Sequence, residues 1–390
     1  MWYNLCRMSN LGKCTARRYL EIADELCADI RAGKYRSRRS FPSLTMIMHR
    51  FGVARATAAK CVDELKHRGV VAASPRSGIT ARNTSRTIGL ILPGVAYSEF
   101  FPPIMSGISR RCQDNGYSLL FGDVYSKRPD VRAQQAKVLA ESFAQKHVAG
   151  VIFQPISFVS DATRINKEIV AILSDAGIPV VLIDYDIVPP PERSAFDLVG
   201  INNFDAGRRL AAHLIAVGAK NIHFLMYHNC AASGSNRLEG ANFANFQGGH
   251  KCSNILQADP EDVAAVRAYL KKHRPDAIIC GNDTIAAFLK HTLDALGKRV
   301  PEDIMLAGFD DVQFASVMTP QLTTIHQPCD EIAAMAFRAL QERIADPSLP
   351  PREIYLPAPL VMRKSTAREM TASASARKSL NSSKKPSGRK

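Results

Sequence analysis

Residues 51–71 read FGVARATAAKCVDELKHRGVV, and their interpretation decides what the first part of the chain is. Gly52 predicts a tight turn, and the residues after it place apolar side chains at the spacing of one helix face. The inward positions are Val53, Ala58, Cys61, Val62 and Leu65, and the outward positions are Arg55, Ala56, Ala59, Lys60 and Asp63. Gly69 ends the helix. Such a helix is either an ordinary solvated surface or an element that reads DNA.

Two helical segments and a hairpin flank this stretch. Residues 15–32 place apolar side chains at helical spacing, and Gly33 stands where a left-handed C-cap would end the helix. Ser43 can accept a backbone N–H as the N-cap of a short second helix that ends before Gly52. Residues 70–83, VVAASPRSGITARN, contain two strand-forming runs around a turn. Helix, helix, tight turn, helix and hairpin form a winged helix-turn-helix, in which the second helix of the motif enters the major groove.

Over roughly residues 15–82 the chain resembles the GntR family of bacterial regulators. Matching residues in register are Pro42-Ser43, Gly52-Val53, Arg55, Thr57, Leu65, Gly69 and Gly78. The resemblance implies that Arg55 reaches a guanine edge or an adjacent phosphate. It also implies phosphate contacts from Ser43, Thr57, Arg76 at the hairpin tip and Gly78, and Lys60 completes the set from the outward helix face.

One alternative role and one departure from the family pattern bear on this DNA-binding set. Ser43 and Thr57 are also the residue types that simply cap helices. The chain further departs from the family at Thr45 and Ala59, where family members often carry arginine. We therefore expect fewer base contacts than in relatives, and an operator sequence that cannot be transferred from them.

The net charge of +15 is concentrated at the two ends of the chain. Residues 1–85 carry +10 and residues 363–390 carry +8, which leaves about −3 between them. A basic surface suits a polyanion, because each neutralised phosphate releases counterions. The C-terminal segment is rich in Ser and Lys with almost no large apolar residue, so we expect a disordered basic tail over residues 365–390 that adds weak non-specific DNA affinity.

Several classes of protein are disfavoured by composition. No run of 18 uncharged apolar residues occurs, and the N-terminus lacks a charged start followed by an apolar block, so we expect neither a membrane span nor secretion. The nine cysteines are odd in number, scattered and never in a C-x-x-C pair. This pattern argues against a disulfide framework and against a zinc site, and it predicts reduced thiols in the cytoplasm.

From residue 86 onward, after the polar linker RNTSR, short apolar runs alternate with helical patterns. The runs are TIGLILPG, YSLLFGDV, GVIFQPIS, PVVLIDYD, LVGINN, NIHFLMY, DAIICGND and DIMLAGFDD. Strands that are apolar throughout and alternate with helices indicate an α/β fold with parallel sheets covered on both faces. Ligands of such folds bind beyond the carboxyl ends of the strands.

Nearly all of residues 86–364 resembles the LacI family and its relatives, the periplasmic sugar-binding proteins. The matching segments are residues 278–328, which begin IICGNDTIAAF and end TTIHQP, RLEGANF at 237–243, and INNFDAGRRLAAHLIAVGAKNI at 201–222. The resemblance implies two similar α/β subdomains joined by three crossovers, with the ligand between them. We expect the crossovers near residues 186–197, 320–328 and 348–352.

The resemblance also implies a site for a sugar or similar polyol. Aromatic rings stack on the apolar face of a pyranose, and charged groups bind its hydroxyls. Positions that match the family's sugar contacts are Phe100, Phe101, Asp184, Arg237, Asp283 and Asp310, with Tyr185, Asn203 and Asn282 beside them. Structural roles stay open for some: Asp283 and Asp310 as caps, Phe101 as core, Arg237 paired with Glu239. The segment after Arg237 is shorter than usual in the family, which leaves the ligand's size open.

We interpret the chain as a DNA-binding transcription regulator, most simply a repressor, whose operator affinity a small ligand controls. The expected organisation is an N-terminal extension at 1–14, a winged helix domain at 15–82, a linker at 83–86, a LacI-type domain at 87–364 and the tail. Expected partners are duplex operator DNA, a sugar-like effector and a second copy of the chain, with no membrane. The alternatives are a transport binding protein or a sugar-processing enzyme. No nucleophile elbow, P-loop or zinc-protease motif occurs, so we expect no catalysis, no cofactor and no metal.

Overall fold

The computed structural model describes residues 18–30, 34–35, 41–74, 78–81, 85–95, 98–124, 126, 128–227 and 230–367. The chain divides into two compact units, one of Met1–Ile201 with Pro328–Leu356 and the other of Asn202–Gln327 with Pro357–Lys390. None of the helices in the described ranges is both long enough and apolar enough to cross a membrane.

The N-terminal part of the first unit is a winged helix-turn-helix. Its elements are α1 over residues 18–30, α2 at Leu44–Phe51, α3 at Arg55–His67, and an antiparallel hairpin of β1 at Val71–Ser74 and β2 at Gly78–Ala81. Ser43 caps α2 by accepting the Met46 N–H at 3.3 Å, and Gly52 ends α2 with a left-handed φ of 61°. The helices enclose a small core that includes Ile22, Leu26 and Ile47.

A six-stranded sheet forms the rest of the first unit. Its order is β13-β7-β6-β5-β3-β4, and all neighbours are parallel. The strands are β3 at Thr87–Leu92, β4 at Ser118–Asp123, β5 at Gly150–Phe153, β6 at Val180–Ile183, β7 at Asp197–Ile201 and β13 at Glu353–Leu356. The helices are α4 at Phe101–Asp114, α5 at Pro129–Gln145, α6 at Ala162–Asp175 and α12 at Cys329–Ala345. Two apolar clusters bury the central strands, as runs without polar alternation require.

The second unit has a sheet of the same size. Its order is β14-β12-β11-β10-β8-β9, parallel except for β14, which runs antiparallel to β12. The strands are β8 at Ile222–Leu225, β9 at Ile255–Leu256, β10 at Ala277–Cys280, β11 at Met305–Asp310, β12 at Thr323–His326 and β14 at Leu360–Val361. The helices are α7 at Asn203–Ala216, α8 at Ala232–Gln247, α9 at Val263–His273, α10 at Asp283–Ala295 and α11 at Gln313–Val317.

The fold class expected from the sequence is confirmed, and all eight apolar runs contain a strand. Four strands were not predicted, namely β9, β12, β13 and β14. Two crossover positions were wrong. The chain leaves the first unit after Ile201 rather than near 186–197, because β7 still pairs with β6, and it leaves again after Leu356 rather than at 348–352, because β13 pairs with β7. The crossover expected at 320–328 occurs between Gln327 and Pro328.

Candidate functional site

The helix α3 turns small and basic side chains toward solvent. Arg55, Ala56 and Lys60 are exposed, and Ala59 is partly exposed. The opposite side is buried in the core, at Ala58, Cys61, Val62 and Leu65. The inward and outward positions predicted from helical spacing are therefore confirmed, except that Val53 and Ala59 are of intermediate exposure.

The N-terminus of α3 is left open by its cap residue. Ala54 has no side-chain acceptor, although its carbonyl accepts the N–H groups of Thr57 at 3.0 Å and Ala58 at 3.1 Å. First-turn N–H groups without a capping side chain are suited to an anion, because they point outward along the positive end of the helix. Arg55 is the first residue of this turn, so its guanidinium belongs to the end of the helix that no side chain caps.

A buried carboxylate fixes α2 on α1. Asp29 is 5% exposed and accepts hydrogen bonds from Lys34 at 2.5 Å and from Arg50 in α2 at 2.7 Å. These partners hold the pKa of Asp29 below its ordinary value, with the Lys34 hydrogen bond as the largest cause. The helix that precedes the recognition helix is thus held by charge as well as by apolar packing. The sequence reasoning missed this pair, because Asp29 lies on a helix with no other sign of buried charge.

The remaining DNA-binding candidates have mixed positions. Ser43 is exposed and acts as a cap, and Thr57 is partly buried in the first turn of α3. Gly78 begins β2 of the wing. Arg76, predicted at the tip of the wing, lies outside the described residues, as do residues 83–84 of the linker and 368–390 of the predicted tail. The predicted start of the tail at residue 365 was wrong, because Ser365 and Thr366 are buried and the Ser365 hydroxyl accepts the Thr323 N–H at 2.8 Å.

In the second unit, a buried arginine organises the polar side chains at the carboxyl edge of the sheet. Arg237 is 4% exposed. Its guanidinium donates to Oδ1 of Asn203 at 2.8 Å and to the Gly281 carbonyl at 2.7 Å, and it lies 4.5 Å from the centre of the Phe309 ring. A carboxylate oxygen of Asp310 is 3.6 Å from it, so Arg237 pairs with Asp310 rather than with Glu239. Three predicted residues thus form one cluster.

The approach of two helices makes this cluster possible. A Cβ atom on Gly207 of α7 would lie 1.9 Å from the Arg237 carbonyl oxygen, and one on Gly240 of α8 would lie 1.9 Å from the Phe204 carbonyl oxygen. The backbones of α7 and α8 therefore touch where only glycine fits. This contact brings Asn203, at the start of α7, within reach of Arg237 on α8.

The turn after β11 presents Asp310 in a rarely used backbone conformation. Asp310 has φ 107° and Asp311 has φ 57°, values uncommon for residues other than glycine. Gln327 donates its side-chain amide to Asp310 at 2.7 Å, and Arg363 donates to Asp311 at 2.6 Å. Unusual backbone conformations of this kind persist where surrounding contacts hold them, and they concentrate at functional sites.

Asp283 has a different geometry from the other predicted ligand contacts. It is fully buried, and its two oxygens accept the Thr324 hydroxyl at 2.7 Å and the Val312 N–H at 3.2 Å. Burial, together with nearby Asp310, raises the pKa of Asp283 well above its ordinary value. This arrangement favours a role in holding the 310–312 turn over direct contact with a ligand. Asn282 rather than Asp283 caps α10.

In the first unit, Asp184 follows β6 and has φ 72°. Gln154, which follows the neighbouring strand β5, donates its side-chain amide to Asp184 at 3.2 Å. Tyr185 is buried, and its hydroxyl donates to the Pro155 carbonyl at 2.6 Å, which is a structural contact. Sequence reasoning missed Gln154 and Gln327, although both stand directly after a strand that neighbours an aspartate-bearing one.

The two phenylalanines after β3 occupy the start of α4. Phe100 is 7% exposed and belongs to an apolar core cluster, and Phe101 is partly buried against the same cluster. Their ring centres are 5.2 Å apart at 60°. The structure thus gives Phe100 a packing role and leaves more of Phe101 at the surface.

Comparison with known proteins identifies both parts of the chain. Residues 18–80 match the family described as bacterial regulatory proteins, gntR family, and residues 211–366 match the periplasmic binding protein-like domain. The HTH-type transcriptional repressor PurR of Vibrio vulnificus is 32% identical over 323 residues, which cover 80% of this chain and 90% of that protein. This chain belongs to the LacI-type family of transcriptional repressors. The gntR-family match over residues 18–80 confirms the first resemblance seen in the sequence, and membership of the LacI-type family confirms the second. The protein is therefore a DNA-binding transcriptional regulator with a ligand-binding domain.

Solved structures of similar fold include other transcription regulators. The transcription regulator GntR from Chromobacterium violaceum is 27% identical with a TM-score of 0.59, covering 72% of this chain and 99% of that one. A transcriptional regulator CelR–cellobiose complex covers 83% of this chain and all of its own, with a TM-score of 0.62 and 22% identity, a likeness of fold alone.

Proposed function

We propose that this LacI-type regulator represses transcription by placing α3 of the winged helix in the major groove of an operator, and that an uncharged sugar-like effector changes its affinity for that operator. The DNA-binding set is Ser43, Arg55, Thr57, Lys60, Arg76 and Gly78, within a domain at residues 15–82. The ligand-binding domain is residues 87–364.

The observation that carries the effector proposal is the buried cluster around Arg237. A guanidinium that is 4% exposed and opposite a carboxylate, at the edge where parallel strands end, is the kind of polar group that fixes a small ligand's orientation. Because Arg237 is already opposite Asp310, a neutral polyhydroxyl ligand suits the cluster better than an anion. The proposed ligand contacts of the second unit are Arg237, Asp310 and Asn203, and those of the first unit are Asp184 and Phe101. Phe100, Tyr185 and Asp283 are buried and have a packing or positioning role within their own units.

We propose that the regulator acts as a homodimer in the cytoplasm. Two-fold symmetry lets two recognition helices read two half-sites one helical turn apart, which explains why such regulators are commonly dimeric. Light scattering on the free protein and on the DNA complex tests this point, and a monomer in both states contradicts it.

We assign the ligand cluster to binding and not to catalysis, and an unchanged sugar after prolonged incubation with pure protein is the expected result.

Thermal melting against mono- and disaccharides, polyols and nucleosides tests the effector proposal. A ligand that binds the folded protein alone raises the melting temperature by mass action. The rise should disappear in Asp310→Ala and persist in Asp303→Ala, a matched change at a half-exposed carboxylate paired with Arg299. A rise that survives Asp310→Ala would contradict the assignment of the cluster.

Binding-site selection with random duplexes tests the DNA proposal. Arg55→Ala should relax the selected sequence, because this side chain reads a base, whereas Arg76→Ala should weaken all sequences alike. The same selected sequence and the same affinity loss in both variants would contradict the roles we assign to these arginines.

A further inference from the structure

The DNA-facing half of α3 is notable for what its side chains lack. Within its first turns Ala56 is exposed and Ala59 is partly exposed, and Ala54, the cap residue before α3, is exposed as well. Alanine offers neither a donor nor an acceptor. Methyl groups at these positions leave room for the helix to lie close to the floor of a groove, where they could form only apolar contacts.

The buried face fixes which of these methyl groups points outward. Successive residues of a helix are rotated by about 100°. The direction opposite the buried row of Ala58, Cys61, Val62 and Leu65 therefore passes through Ala56, with Lys60 and Asp63 farther along the same row. Around the helix, Ala59 lies between this row and Arg55. At the other end of α3, Arg68 pairs with Glu64 at 2.7 Å and with Asp24 of α1, which holds the helix in place.

The chemistry of the major groove gives these methyl groups one suitable partner. Every base edge there presents hydrogen-bonding groups, and only thymine adds an apolar one, its C5-methyl. Alanine packed on the polar edge of another base would remove water from donors or acceptors without replacing their hydrogen bonds, which is unfavourable. Alanine packed on the thymine methyl buries apolar surface on both sides.

We propose that each operator half-site carries a thymine next to the guanine read by Arg55, and that the C5-methyl of this thymine packs against Ala56 and Ala59. The inference rests on the proposed operator binding and adds the base content of the operator to it. Arg55 supplies the polar half of the readout at the start of α3. Ala56 and Ala59, within about one helical turn after Arg55, supply the apolar half of the readout.

The test starts from duplexes selected out of a random library by the full-length protein. In the best duplex each dT of the half-site is replaced, one at a time, by dU, which removes only the C5-methyl. At one dT beside the guanine, affinity should fall about fourfold, the change that burial of one methyl group corresponds to. Substitution at dT positions outside the half-site should leave affinity unchanged.

The protein side of the contact is tested by Ala56→Gly and Ala59→Gly. If the methyl groups touch, the fourfold preference for dT over dU should shrink toward one in at least one variant, because the protein methyl is then missing. Ala28→Gly is the matched control: Ala28 is exposed on α1, so the change carries the same helix cost without touching α3. Its preference for dT over dU should equal that of the unaltered protein.

Three results would overturn the inference while leaving operator binding intact: selected half-sites without thymine beside the guanine, equal binding of dT and dU at every position, or a preference unchanged in both alanine variants. The dU series uses the unaltered protein, so it decides the matter even if a glycine variant folds poorly. Failure of the library to enrich any duplex would overturn operator binding itself and this inference with it.

Discussion

Replacing Asp197 by asparagine should destabilise the first unit strongly without touching either proposed site. Asp197 opens β7 and is fully buried. Arg343 of α12 donates to both of its oxygens at 2.9 Å, and Arg352, just before β13, donates its backbone N–H at 2.8 Å. The carboxylate therefore ties the sheet to a helix and a strand that lie some 150 residues later in the chain.

The size of the effect follows from the burial of the partners. The side chain of Arg343 is only 12% exposed, so asparagine leaves this guanidinium poorly hydrated and without the carboxylate it pairs with, whereas Arg352, which is 33% exposed, keeps its pair with Glu342 at 2.6 Å. Removing one member of a buried ion pair costs about 3–5 kcal/mol. For a unit of this size each kcal/mol lowers the melting temperature by about 2–4 °C, so we expect a fall of roughly 6–20 °C.

Calorimetry and urea unfolding of the full chain measure this effect. Burial raises the pKa of Asp197, but hydrogen bonds from Arg352 and Arg343 outweigh it and hold the pKa below its ordinary value. The free energy of unfolding that the Asp197 carboxylate contributes is therefore complete above about pH 4 and is lost as the pH falls further. Asp197→Asn should lack this part of the acid-induced loss of stability. Asp303→Asn, at a solvent-accessible pair with Arg299, should lower the melting temperature much less than Asp197→Asn does. A melting temperature for Asp197→Asn within about 2 °C of the unaltered protein would refute the reasoning.

Two further predictions concern the second unit. Burial, with a smaller effect of His273, lowers the pKa of His223 to about 4. As the pH falls, the unfolded chain therefore binds a proton at this residue before the folded chain does, and about 3 kcal/mol of the free energy of unfolding should be lost between pH 6.5 and 4. Urea unfolding across this range should show a smaller loss for His223→Gln. Gly207→Ala should lower the free energy of unfolding by about 1–3 kcal/mol or more, the cost typical of overpacking, because the new methyl group meets the Arg237 carbonyl oxygen. The same displacement of Arg237 should abolish the effector-induced rise in melting temperature. A Gly207→Ala protein that melts and responds normally would contradict the backbone contact between α7 and α8.

The sequence by itself determined the elements whose signal is local. Helical spacing with Gly52 and Ser43 at the ends determined α2 and α3, and eight uninterrupted apolar runs determined the strands of two parallel sheets, because burial on both faces removes polar alternation. The same runs placed Asp184 and Asp310 at strand ends. Residue types in register with two families then indicated a DNA-binding head and a ligand-binding domain before any contact was known.

Only the tertiary structure decided which residues meet. β13 begins with a glutamate and β14 is only two residues long, so neither carries a clear local signal, and both form because strands far away in sequence offer them partners. Asp283 and Asp310 look alike in sequence, yet packing buries the first completely and leaves the second opposite Arg237. The place of each crossover likewise depends on the last strand pair that forms. Pairing, burial and close approach depend on the distance between segments in space, which local sequence does not encode.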